Sequence, residues 1–313
     1  MPKPERIAIV GAGLIGRAWA TVFARAGLDV TITDIDAASL AASRERIRAT
    51  LEDLRDAGLV GDPAAVLSRI RCAGDLGEAV ETASYVQECG PEDAELKSRL
   101  FAELEARTGP DTILASSTSG IVASKFNGQM QDRSRAIVAH PVNPPSLIPL
   151  VEVAPSPDTA AGIVDRTMAL MEQVGQSPIL VRREVEGFVL NRLQGALLNE
   201  ALRLLRDGVA SAADIDRTMR DGLGRRWAFM GPFETIDLNA PNGAGDYARR
   251  YGPIYRRLDE ARDAQPWTAE VIDRLVDQLR SADPIDAHEA RCDRRDRRLM
   301  ALTAHLQHAS DQD

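Results

Sequence analysis

Three glycines at spacings of two and three, Gly11-Ala-Gly13-Leu-Ile-Gly16, stand between a short β-branched run, Ile7-Ala-Ile-Val10, and a helical pattern with apolar positions at Ala18 and Val22. This placement constrains the fold more than any other stretch, because a glycine turn joining a strand to a helix is the start of a parallel βαβ unit. Gly11 permits the tight turn, Gly13 lets backbone approach a bound pyrophosphate, and Gly16 lets the helix pack close on the strand. Leu14 and Ile15 lie inside the turn, where the free N–H groups of a helix N-terminus attract phosphate. Asp34 closes the next strand, Val30-Thr-Ile-Thr33, eighteen residues past Gly16. That is near the roughly 20 expected of the carboxylate that binds a ribose 2′-hydroxyl. With Asp36 close behind and no Arg expected beside it, a 2′-phosphate would be repelled, so NAD is expected over NADP. A glycine turn of this kind can also hold FAD or no nucleotide.

The alternation continues through Ile113-Leu-Ala115, Ile137-Val-Ala139 and Leu150-Val-Glu-Val153. It predicts a Rossmann-type, doubly wound, mainly parallel α/β sheet. Between Asp36 and Leu54, Leu40, Ile47 and Leu51 recur at helical spacing among charges, which predicts a long amphipathic helix. After Gly187 strand patterns cease, and Val189, Leu193, Leu197, Ala201, Leu204 and Leu205 mark one face of a helix. A boundary is therefore expected near 185, with a nucleotide-binding domain over 1–185 and a smaller all-helical domain over 186–313. A chain of 313 residues also exceeds the size at which one core keeps growing, roughly 250–300 residues.

The net charge of −9 argues against a nucleic-acid partner, which needs concentrated positive charge. The Arg-rich run Arg291–Arg298 is interrupted by Asp293 and Asp296 and is expected to be a solvated helix face. Cys72, Cys89 and Cys292 show no ligand spacing, so no metal is expected, and unpaired thiols suit a reducing compartment. The start Met-Pro-Lys-Pro-Glu-Arg leads straight into a strand and no long uncharged apolar stretch follows. The expectation is a cytoplasmic protein without membrane spans.

His140 is the only histidine before residue 288 and is expected just past a strand over Arg135–Ala139, at the carboxyl edge where ligands of open parallel sheets gather. Oxidising a secondary alcohol needs a base for the hydroxyl proton, and imidazole suits that task near neutral pH. A loop histidine alone could equally be structural. Glu152 lies inside the apolar run Leu150-Val-Glu-Val153, where a buried carboxylate needs a partner; a nearby imidazole would serve, although an edge strand could instead leave it solvated. Ser116-Ser-Thr-Ser119 brings hydroxyls to the same edge, and Asn191, at the end of Gly187-Phe-Val-Leu-Asn191, offers an amide that could reach a cleft or simply lie exposed in a helix's first turn. Ser117 and Asn143 are further expected cofactor contacts at that edge.

These strings, with Gln87-Glu-Cys-Gly-Pro-Glu92-Asp, Pro149-Leu-Val-Glu152 and Gly222-Leu-Gly-Arg-Arg226-Trp-Ala-Phe-Met-Gly-Pro-Phe-Glu234-Thr, occur in order along the chain. Together they resemble the 3-hydroxyacyl-CoA dehydrogenase superfamily, in its lambda-crystallin or L-gulonate 3-dehydrogenase branch, over nearly the whole length. The resemblance implies His140 as general base, Glu152 as its orienting carboxylate, and Ser119 and Asn191 as donors to the reacting oxygen. It places Glu92 and Lys97 at the nicotinamide ribose and implies a homodimer built by the helical domain. Arg226 is expected to clamp a free carboxylate, because the acyl-CoA enzymes look shorter there. The expected activity is oxidation of the 3-hydroxyl of a small L-3-hydroxy acid, such as L-gulonate, with NAD. The alternatives are a 3-hydroxyacyl-CoA, L-carnitine, whose dehydrogenases look different at Asn191-Arg192, and a non-enzymatic crystallin-type structural role. Gly90 and Gly120 stand where relatives often carry larger residues and are expected to enlarge or loosen the pocket.

Overall fold

The glycine-turn unit seeds a sheet of eight strands in the computed structural model, which describes residues 5–260, 267–282 and 288–310. The strands are β1 (Arg6–Val10), β2 (Asp29–Thr33), β3 (Ile70–Cys72), β4 (Tyr85–Glu88), β5 (Ile113–Ser116), β6 (Ala136–Pro141), β7 (Leu150–Pro155) and β8 (Ser177–Leu180). Their spatial order is β3-β2-β1-β4-β5-β6-β7-β8. Every neighbouring pair is parallel except β6 and β7, which run antiparallel with His140 opposite Glu152. The expected doubly wound, mainly parallel sheet is therefore present, and its one reversal sits at the two residues of most chemical interest.

Side-chain alternation along each strand sends residues to two separate cores. In β1, Ile7 and Ile9 join the cluster that holds Trp19, Phe23 and Leu51; Ala8 joins the opposite one with Val86, Leu114 and Val138. The helix expected over 36–54 runs Ala37–Asp56 and buries Leu40, Ser43, Ile47, Leu51 and Leu54, one stripe at helical spacing. Each such aliphatic residue contributes about 1.5–3 kcal/mol by leaving water. Asp36 is that helix's N-cap, accepting from the amides of Ala38 and Ser39 and from Ser39 Oγ. The Ser39 hydroxyl first, then the two amides, hold the Asp36 carboxyl below its ordinary range.

The chain divides into two compact units, one of residues 1–192 and 291–313 and the other of 193–290. The expectation gave everything after 185 to one helical domain, whereas the last helix, His288–Ser310, packs mainly with the first unit. There Met300 is buried in the core cluster that contains Leu147, with Leu299 packed against it. Thr303 Oγ1 also donates to the Leu147 carbonyl at 3.3 Å. Among the described residues of this last helix, the Arg-rich face is exposed as expected, and Arg295 pairs with Asp296.

Gly16 shows how tightly the first helix is seated. A Cβ built there would lie 1.8 Å from the Gly11 carbonyl oxygen, and neither backbone can yield without separating strand from helix. Gly16→Ala is expected to cost at least the roughly 1–3 kcal/mol typical of overpacking and to weaken cofactor binding with it, as read by thermal melting with and without NADH.

Candidate active site

The carboxyl ends of β1, β2, β4, β5 and β6 converge on one edge of the sheet. Gly11 holds φ +111°, and a Cβ there would meet the Cys89 carbonyl at 2.7 Å. The turn then enters the helix Leu14–Arg25, whose N-cap Gly13 offers no side-chain capping bond. A Cβ at Gly13 would meet nothing within 4 Å. The first-turn amides of Leu14, Ile15 and Gly16 thus face a position open to close approach, as a pyrophosphate requires.

Asp34 is anchored beside that turn: its Oδ2 accepts from the Ala12 amide at 2.6 Å and its Oδ1 from the Asp36 amide at 2.8 Å. Two details correct the electrostatic expectation. Asp36 turns its carboxylate onto its own helix, and Arg17 does lie beside the turn, its Nη1 donating to the Ala12 carbonyl at 2.8 Å. Burial first, and the neighbouring Arg46 second, lower the Arg17 pKa. Of the two carboxylates expected beside the turn, only Asp34 is held against the glycine turn, and Asp36 is committed to its helix.

His140 lies within β6 rather than past its end. The strand runs on because its antiparallel partner β7 continues the pairing through Pro141 and Val151. His140 is 5% exposed and Glu152 0%, and His140 Nδ1 lies 2.9 Å from Glu152 Oε2. The second carboxylate oxygen, Oε1, accepts from the amides of Val189 at 2.8 Å and Leu190 at 2.9 Å. Those amides open the helix Leu190–Arg206 and are aimed by two left-handed residues, Gly187 at φ +75° and Phe188 at φ +48°. Positive φ is uncommon at a residue with a side chain; here it also buries the Phe188 ring, with its centroid 5.7 Å from that of His140. Burial raises the Glu152 pKa, but the imidazole and the two amides outweigh it and leave the group below its ordinary 4.5. An anionic Glu152 accepts from Nδ1–H, which leaves the lone pair on His140 Nε2 available as a base.

Other expected site residues fall around this pair. Glu92 Oε1 accepts from Thr118 Oγ1 at 2.6 Å and from the amides of Ser119 and Gly120, both at 3.0 Å, so it braces the loop after β5. Asn191 Nδ2 donates to the Ser119 carbonyl at 2.7 Å; Asn191 and Ser119 are thus joined to each other. Ser117 Oγ accepts from Gln87 Nε2 at 2.7 Å and Trp19 Nε1 at 3.2 Å. Asn143 is exposed. Lys97 does not project freely: it is 1% exposed, and both oxygens of the fully buried Glu88 lie 2.8 Å from its Nζ. Sequence reasoning gave Glu88 no role, although it lies inside the quoted Gln87-Glu-Cys-Gly-Pro-Glu92-Asp string. In the second unit, Arg226 is half-buried in the short helix Gly224–Trp227, which follows a π-helical turn over Thr218–Leu223. Such turns are rare and often mark functional sites. No ion pair to Arg226 occurs among the described residues. Those residues also hold no cluster of His, Cys, Asp or Glu able to take a metal ion, and no helix among them is long and apolar enough to cross a membrane.

An anion-ready helix start, a carboxylate anchored beside it and a buried imidazole–carboxylate pair fit an NAD-binding oxidoreductase. Residues 6–185 match the NAD binding domain of 3-hydroxyacyl-CoA dehydrogenase, and residues 187–282 match its C-terminal domain. The chain belongs to the 3-hydroxyacyl-CoA dehydrogenase family. It is 42% identical to lambda-crystallin of Oryctolagus cuniculus, over 90% of this chain and 91% of that protein. It is 39% identical to L-carnitine dehydrogenase of Pseudomonas aeruginosa, over 87% and 85%. Among solved structures it resembles 5-formyl-3-hydroxy-2-methylpyridine 4-carboxylic acid 5-dehydrogenase, described as an NAD+ dependent dismutase, with a TM-score of 0.83 at 29% identity, covering 97% of this chain and 99% of that one.

Glu152 accepts three donors, which an amide cannot do, so Glu152→Gln should leave at least one buried donor unpaired, at about 1–3 kcal/mol near neutral pH. Because its folded pKa is depressed, the carboxylate stabilises the fold above about 4.5, and that contribution is lost as pH falls through the lower folded value. Denaturant titrations of the two proteins should differ at pH 7 and draw together as pH falls below the ordinary carboxylate range.

Proposed function

We propose that this protein oxidises the 3-hydroxyl of a small, free L-3-hydroxy acid, of which L-gulonate is the type, with NAD as acceptor. The observation that carries the reading is the buried His140–Glu152 pair, whose geometry leaves one imidazole nitrogen free for a substrate hydroxyl. NAD, when bound, supplies the hydride acceptor, and the first-turn amides after Gly13 together with Asp34 would hold its pyrophosphate and adenosine ribose. His140 takes the hydroxyl proton at Nε2. Glu152 fixes the tautomer and stabilises the imidazolium that results. Ser119 and Asn191 donate to the reacting oxygen once their own contact opens to substrate, and Glu92, Lys97, Ser117 and Asn143 belong to the nicotinamide end.

Arg226 favours a free carboxylate over a thioester. A half-buried guanidinium without an ion pair among the described residues is a fork-shaped donor awaiting a planar acceptor. A homodimer in the cytoplasm completes the reading: Phe229, Phe233 and Leu238 of the helical unit are 68%, 81% and 66% exposed, a surface suited to burial against a second copy. Cys72, Cys89 and Cys292, joined by no disulfide, fit a reducing compartment.

His140→Ala should lose on the order of 10²–10⁴-fold in kcat while keeping wild-type NADH affinity; a wild-type rate would remove His140 from the mechanism. Arg226→Ala should raise KM for the hydroxy acid roughly tenfold or more, and a change below about twofold would end the clamp assignment. Rates with L-gulonate, L-carnitine and acetoacetyl-CoA, with NAD and NADP in parallel, would rank the substrates. Preference for the thioester would replace the free-acid reading.

A further inference from the structure

Glu88 is the last residue of β4 and stands in register with Ser116, the last residue of β5. It is fully buried and makes four contacts that reach three neighbouring segments. Both carboxylate oxygens accept from Lys97 Nζ on the helix Ala94–Arg107 at 2.8 Å. Oε2 accepts from Ser116 Oγ at 2.5 Å, and Oε1 from the Gly90 amide at 2.6 Å. A Cβ on Gly90 would come within 2.9 Å of that same Oε1. Gly90 therefore tightens the site around Glu88 instead of enlarging it.

The backbone contact and the serine contact each anchor the start of a loop that builds the pocket. Gly90 begins the turn that delivers Glu92, and Ser116 begins the loop whose Ser119 and Gly120 amides bind Glu92. One buried carboxylate thus sets the origin of both loops and the position of the ammonium between them. We infer that Glu88 is a positioning residue for the nicotinamide-ribose pocket, acting through Lys97, Gly90 and Ser116 without touching the cofactor. A buried ion pair is weak evidence for stability, because desolvating two charges offsets most of their attraction. A pair that instead places a binding group has a reason to be retained despite that penalty.

The inference rests on Glu92 and Lys97 being ribose contacts, and the experiment separates the two ideas. NADH dissociation constants, kcat at saturating NAD and thermal midpoints are measured for the wild type, Glu88→Gln, Glu88→Asp, the neutral double variant Glu88→Gln/Lys97→Gln, and Glu92→Gln. Glu88→Gln is expected to weaken NADH binding about tenfold, a loss of about 1.4 kcal/mol, while kcat at saturation stays within about threefold. Glu88→Asp should recover part of the affinity. The double variant, free of an uncompensated buried charge, should regain thermal stability but not NADH affinity. A Glu88→Gln protein with a lowered midpoint and unchanged NADH affinity would overturn the inference, as would a double variant that restores both. If Glu88→Gln does not fold, Ser116→Ala is the second reading: about threefold weaker NADH binding is expected, and wild-type affinity would count against the idea. Wild-type affinity in Glu92→Gln would instead refute the ribose assignment on which the inference stands.

Discussion

The cross-strand pair His140–Glu152 depends on the single reversal of direction in the sheet. Elsewhere in the sheet, where neighbours run parallel, the groups at the carboxyl edge come mostly from the strand ends and the loops after them. Where β6 meets β7 antiparallel, two residues stand directly opposite with their Cβ atoms about 4.5–5.5 Å apart, and a carboxylate can grip an imidazole with no loop intervening. The same carboxylate then takes the first amides of the helix Leu190–Arg206, so a helix N-terminus, a strand and the imidazole share one buried negative charge. Its cost of burial is offset by three donors, and all three hold the ring in one orientation.

A second carboxylate repeats the arrangement on the cofactor side. Glu88 gathers Lys97, Ser116 and Gly90 much as Glu152 gathers His140, Val189 and Leu190. Both sit at 0% exposure, and both bind the backbone of a segment that follows a strand end. The candidate site thus rests on buried anions with several donors each, and the exposed Ser119 and Glu92 around it lie on loops that start from Ser116 and Gly90.

Much of this was legible in the residues. The glycine turn, the β-branched runs and the 3.6 periodicity after Asp36 carry their own physics locally, and Glu152 announced itself as a carboxylate in an apolar strand. What stayed hidden depended on direction. Sequence placed Asp36 beside Asp34 but could not show it turning to cap its helix, nor Arg17 turning back to the Ala12 carbonyl. It placed His140 just past a strand ending at Ala139, whereas antiparallel pairing carries the strand through Pro141. Asn191 and Ser119 were both read as donors facing a ligand, yet their contact with each other is seventy-two residues apart in the chain. Sequence marked the Arg-rich face of the last helix as solvated but gave no sign of the core cluster that Met300 joins.

That last docking has a consequence for synthesis. The nucleotide-binding unit is discontinuous, made of residues 1–192 and 291–313. A nascent chain emerging from the ribosome can form the sheet early, but the core cluster to which Met300 belongs stays incomplete until Met300 has been translated. Domains ordinarily mature in the order they are made. Here the first to begin must wait until the whole of residues 193–290 has been made, and during that interval the growing polypeptide keeps part of its apolar core open to solvent.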